Sequence, residues 1–158
     1  MRTFRGFTLV ELIVARVIAT ILVSIAVPTY QVQMRKSRRT EAKTTALDAA
    51  AREERYYATQ NTYTQDTGQL GYTTGSGNFP YKTGAYYEIS VINSSAPTAS
   101  ATGVTTGTFT IVVSPAPGSP QLQDTSCQNF IVTQTGARTA NDGAIPDATD
   151  SDTTSTCW

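Results

Sequence analysis

FTLVELIVARVIATILVSIAV, running from Phe7 to Val27, decides how the rest of the chain is read. About twenty such residues cross a bilayer core as a single helix, so these 21 residues predict a membrane-spanning segment near the N-terminus. Two charges interrupt it, Glu11 and Arg16. Each costs about 2.5–3.5 kcal/mol at a bilayer centre and so requires a partner. They stand five residues apart, about 140° around a helix, which is poor pairing geometry compared with i, i+4. Their partners are therefore expected in another molecule. Pro28 closes the run, removes a backbone donor and is expected to kink or loosen a helix that continues through it.

A cleaved secretory signal is the plainer alternative. Met1 to Gly6 supplies a short basic region, and Ser24-Ile25-Ala26 is a small-x-small cleavage pattern. Two charges within the apolar stretch, and its 21-residue length, weigh against that reading.

Composition narrows the function. The 158 residues include 28 threonines, two cysteines and no histidine, which excludes Ser-His-Asp and Cys-His nucleophile systems and the usual histidine metal sites. No nucleophile–base set or phosphate-binding loop appears, so no enzyme and no cofactor are expected. Zero net charge removes the broad electrostatic argument for a nucleic-acid binder. The average hides a division: residues 1–55 carry ten basic and five acidic side chains, and residues 56–158 carry two basic and seven acidic.

Met1-Arg2-Thr3-Phe4-Arg5-Gly6 followed by Phe7-Thr8-Leu9-Val10-Glu11-Leu12 resembles the class III signal of type IV prepilins. Pro28-Thr29-Tyr30-Gln31 sits where pilins carry a helix-loosening proline. Arg38-Arg39-Thr40-Glu41-Ala42, the stretch from Glu53 to Thr64 and the closing Cys157-Trp158 resemble PilE-type minor pilins. The resemblance implies cleavage by a prepilin peptidase between Gly6 and Phe7, methylation of the Phe7 amine, and retention of the apolar helix. It also implies that Glu11 pairs with the N-terminal ammonium of a neighbouring subunit. Arg16 departs from the pattern, which is uncharged there. The resemblance further implies other pilin subunits, the peptidase, the assembly platform and the inner membrane as partners, with the subunit serving a surface pilus for motility, adhesion or DNA uptake. Two other readings share some of these features: a type II secretion pseudopilin, and an exported soluble binding module with a cleaved signal.

Orientation is contested by the charges themselves. Arg2 and Arg5 precede the span, whereas Arg35, Lys36, Arg38 and Arg39 follow it, which nominally places the C-terminal side in the cytoplasm. Two cysteines and the Thr-rich remainder favour export, and a periplasmic head is expected.

Beyond Pro28 the positions Ala42, Ala46, Ala49/Ala50 and Tyr56/Tyr57 form a helical stripe. The predicted helix runs from Phe7 to about Gln60, with its 29–60 half amphipathic and Glu41, Lys43, Arg52, Glu53, Glu54 and Arg55 on a solvated face. Residues 61–84, rich in Gly, Thr and Asn, read as a long loop that Tyr63, Tyr72 and Tyr81 pin to the domain. Strand-like runs follow at 85–92, 107–114 and 128–133, with a weak fourth at Arg138-Thr139-Ala140. The expected architecture is α+β: residues 1–6 a leader, then a long helix whose hydrophobic half (7–28) protrudes. Its second half packs on a three- to four-stranded antiparallel sheet in a 61–158 head, the pilin roll.

Cys127 and Cys157 are too far apart for a redox pair and too few for zinc. In an exported chain they form one disulfide or remain two free thiols; the resemblance implies a disulfide-bounded surface region, 127–157. Asp142, Asp147, Asp150 and Asp152 within it are a weak calcium candidate whose spacing does not match an EF-hand. Asn93-Ser94-Ser95 matches the N-glycosylation pattern.

Overall fold

Alanines four and three residues apart give α1 a flat face, and the head is built on that face. In the computed structural model, which describes residues 8–92, 98–100, 103–105, 107–141 and 154–158, α1 extends from Leu9 to Gln60. The helix continues through Pro28. The chain divides into two units, Met1–Lys36 and Ser37–Trp158.

In the first unit every described residue from Thr8 to Gln33 is exposed, including Leu9, Ile13, Val17, Ile21 and Ile25. This part of α1 is long and apolar enough to cross a membrane. An apolar surface of this extent on all sides of a helix marks a segment that is covered by lipid or by other helices.

In the second unit Ala42, Ala46 and Ala49 are fully buried. They meet one face of a five-stranded antiparallel sheet ordered β1-β2-β5-β6-β7. Its strands are β1 (Tyr81–Lys82), β2 (Tyr87–Ile92), β5 (Thr110–Pro115), β6 (Asn129–Thr133) and β7 (Arg138–Asn141), while β3 (Thr98–Ser100) and β4 (Gly103–Thr105) pair as a separate ribbon. Register aligns Ile89 with Val113, Val91 with Ile111, Ile111 with Val132, and Phe130 with Ala140. These side chains form the core with Tyr87, Leu70, Phe109 and the two half-cystines. The small alanines bring the helix backbone close to the sheet, so the large residues come from the strands.

The three expected strands and the weak fourth are all present. The fifth, β1, lies in the segment read as loop; two residues are too few to show an alternating pattern, and only pairing with Ile89 and Glu88 makes them a strand. The ribbon β3–β4 lies in the connection between β2 and β5. Glu53 corrects the sequence reading. Its residue type predicts the solvated face, but it is fully buried, because it continues the stripe 42, 46, 49 by four more residues.

Candidate functional site

Helix α1 begins at a cap. Thr8 Oγ1 accepts the Glu11 N–H at 3.3 Å, and the Thr8 carbonyl accepts the Leu12 N–H at 3.2 Å. Thr-x-x-Glu is the sequence of a capping box, a signal present in the chain that the apolar pattern overshadowed. Glu11 therefore stands in the first turn, where the helix dipole favours an anion. Among the described residues no cation forms an ion pair with Glu11 or an anion with Arg16. The structure does not bring these two together. Gly6 and Phe7 lie outside the described residues.

The disulfide region is anchored at both ends. Cys127 and Cys157 are bonded, with Cα atoms 5.8 Å apart. Closing about 31 residues is worth about 3.7 kcal/mol in the chain-entropy account. Past Cys157, the Trp158 indole N–H donates to the Thr139 carbonyl at 2.7 Å and its ring stands edge-on to Phe130 at 5.9 Å. Thr154 Oγ1 accepts the Ala140 N–H at 3.0 Å, so the short helix α2 (Thr154–Cys157) is held on β7. Asn129 and Asn141 pair side chain to side chain at 2.8 Å. The calcium candidates Asp142, Asp147, Asp150 and Asp152, and the Asn93 pattern, lie outside the described residues.

The approach to Cys127 is fixed by a buried ion pair that the sequence reading missed. Arg39 donates to both oxygens of Asp124, at 2.7 and 2.8 Å, with the two side chains 14% and 4% exposed. Gln121 Nε2 donates to the same carboxylate at 2.9 Å. Ser119 caps the 3-10 turn Pro120–Gln123 and donates to the Tyr86 carbonyl, while Arg38 lies 4.0 Å over the Tyr86 ring. Eighty-five residues separate Arg39 from Asp124, and no local signal links them.

The 61–84 loop is organised around Asp66, whose carboxylate accepts from Gly68 N, Gly77 N and Ser76 Oγ at 2.8, 3.0 and 2.6 Å. The Ser76 hydroxyl, then the Gly77 and Gly68 N–H groups, hold its pKa below the usual carboxylate range. The tyrosines do pin the loop. Tyr63 stacks on Tyr57 at 4.7 Å and meets Phe109 edge-on, and Tyr72 packs on Tyr81 at 5.2 Å. Arg52 lies over Tyr72 and donates to the Leu70 carbonyl at 2.9 Å.

Glu53 sits beneath this loop. Its Oε2 accepts the Thr64 N–H at 3.2 Å, and its Oε1 has no hydrogen-bond partner among the described residues. Burial pushes its pKa up to about 7 against the lowering effect of the Thr64 N–H, and neighbouring Glu54 raises it further. No cluster of three or more metal-binding side chains occurs among the described residues.

Residues 1–27 match the prokaryotic N-terminal methylation motif. Residues 28–131 match the family described as "Type IV minor pilin ComP, DNA uptake sequence receptor". No curated protein matches the chain. A type IV pilin from Shewanella oneidensis, solved at high resolution, is similar at 18% identity and a TM-score of 0.41, over 78% of this chain and 97% of that one. With the methylation motif at its start and most of its length within the minor-pilin model, the chain belongs to the ComP family of type IV minor pilins.

Proposed function

We propose that the chain is a structural subunit that works by assembly into a pilus taking part in DNA uptake. Prepilin peptidase cleaves between Gly6 and Phe7 and Phe7 is methylated. The apolar helix then waits in the inner membrane with the head on the periplasmic side. The assembly platform extracts it, and Glu11 sets axial register by pairing with the Phe7 ammonium of a neighbour. Pro28 loosens the helix locally during that passage, since its ring removes one donor from the ladder.

One observation carries this reading: α1 leaves every described residue from Thr8 to Gln33 exposed, with a carboxylate at Glu11 that has no cationic partner among the described residues. A buried carboxylate facing an ammonium is tolerated where an isolated one is not. Glu11→Ala is expected to give a processed, membrane-bound protein that is absent from sheared pili. Normal incorporation of that variant defeats the register role.

The DNA role rests on the family description. The whole-chain charge gives no electrostatic argument for nucleic acid because it averages a basic helix with an acidic remainder. Few cations on the head imply few phosphate contacts and a shallow salt dependence. Retardation of duplex DNA by the full chain in micelles, at two salt concentrations and against shuffled competitor, tests this. Absence of any retarded complex rejects it.

A further inference from the structure

The charge on the apolar segment does not balance. In the processed chain proposed above, on which this inference rests, residues 7–27 hold two cations, the Phe7 ammonium and Arg16, against one anion, Glu11. Arg16 follows Glu11 by about 7.5 Å along the axis and about 140° around it. Arg16 is the tenth of the 21 residues from Phe7 to Val27, near the middle of a run long enough to cross a hydrocarbon layer about 30 Å thick. An open depression on α1 is lined by Arg16 together with Ile13, Val17, Thr20 and Ile21, none of them charged. The Thr20 hydroxyl is committed to the Arg16 carbonyl at 2.8 Å and cannot neutralise the guanidinium. Arginine keeps its charge, so the excess cannot be shed as a proton.

The apolar segment of a second copy cannot supply the missing anion. Residues 7–27 of every copy bring the same surplus, so identical apolar segments bundled together gather unpaired cations in a dry medium. We infer that the face of α1 around Arg16 docks an unlike pilin-type helix, one that carries a carboxylate beyond the one matched by its own amine. A guanidinium takes a carboxylate through two parallel hydrogen bonds, which gives the contact direction as well as charge. The same surplus acts against self-association, so Arg16 selects unlike neighbours both by attraction and by repulsion.

Photo-crosslinking in assembled pili tests this. A benzophenone side chain replaces Ile13 in one full-length variant and Val17 in a second, each with Arg16 intact and with Arg16→Leu. Adducts from sheared pili are identified by mass. With Arg16 intact, the adducts are expected to join an unlike pilin whose apolar helix holds a second acidic residue. Arg16→Leu is expected to raise the ratio of self to unlike adducts about tenfold. Neutralising the partner's second carboxylate is expected to lower the adduct with Arg16 intact and to leave the Arg16→Leu adduct unchanged. Predominant self adducts, a partner with no surplus acid, no adduct at either position, or a ratio indifferent to Arg16→Leu overturns the inference. The N-terminal mass of the same samples separates the failures. A start at Phe7 with any of those results refutes the partner assignment alone, whereas an uncleaved leader removes the Phe7 amine from the count and refutes the proposed processing as well.

Discussion

Raising the pH from 5 to 8 is expected to weaken the head, and Glu53→Gln is expected to abolish that dependence. Glu53 is 0% exposed and its pKa stands at about 7 rather than 4.5, with burial as the largest cause. Below the unfolded value both states are protonated and no penalty exists. Between the two values only the unfolded chain ionises, so stability falls as pH rises, and above about 7 the loss is complete. The gap corresponds to about 3 kcal/mol at about 1.4 kcal/mol per pH unit. Relaxation of the 61–64 turn lets water reach the carboxylate and brings the working figure to about 2 kcal/mol. For a head of this size that is a fall of roughly 6–8 °C in Tm. The chain has no histidine, so the usual competitor in this window is absent. Thermal unfolding followed by near-ultraviolet circular dichroism, with the full chain in micelles at pH 5, 6, 7 and 8, reads the effect through the aromatic core. The glutamine carbonyl keeps the acceptor for Thr64, so the variant should match the parent at pH 5 and exceed it at pH 8. An undiminished decline in Glu53→Gln refutes the argument.

Arg39→Ala strands the Asp124 carboxylate, 4% exposed, and should cost about 3 kcal/mol, read as a lowered urea midpoint with an unchanged slope. Reducing Cys127–Cys157 should cost about 3–4 kcal/mol in the same assay and should increase the solvent quenching of Trp158 fluorescence, since the ring is held next to Cys157. Gly68→Ala drives a methyl group into the Gly75 carbonyl, a backbone atom that cannot swing aside. Faster hydrogen exchange at the Gly77 and Thr67 amides, with the sheet amides unaffected and a cost of about 1–3 kcal/mol, is the expected result.

The parts of the molecule that were legible in the sequence are those governed by local periodicity. The Ala42-Ala46-Ala49 stripe repeats at helical spacing, β2 alternates along its length, and β5 and β6 are short β-branched runs. The reading failed at Glu53 because residue type was allowed to outvote position: a carboxylate on the buried stripe was assigned to solvent. It also failed at β1, where two residues carry no period. In the candidate site the sequence reading missed the Thr8–Glu11 capping box, although its spacing is local, and also the Arg39–Asp124 pair and the Asp66 hub.

By itself the sequence determined the apolar helix from Phe7, the two charges within it and the helical face that meets the sheet. These follow from hydrophobic period and from the cost of a charge in a dry medium, both read from neighbouring residues. Only the tertiary structure decided that Arg39 reaches Asp124 across 85 residues, whereas the single disulfide expected of Cys127 and Cys157 is in place. The Arg39–Asp124 pair depends on which distant segments the fold brings together, and a pairing of that range leaves no trace in either partner's immediate sequence.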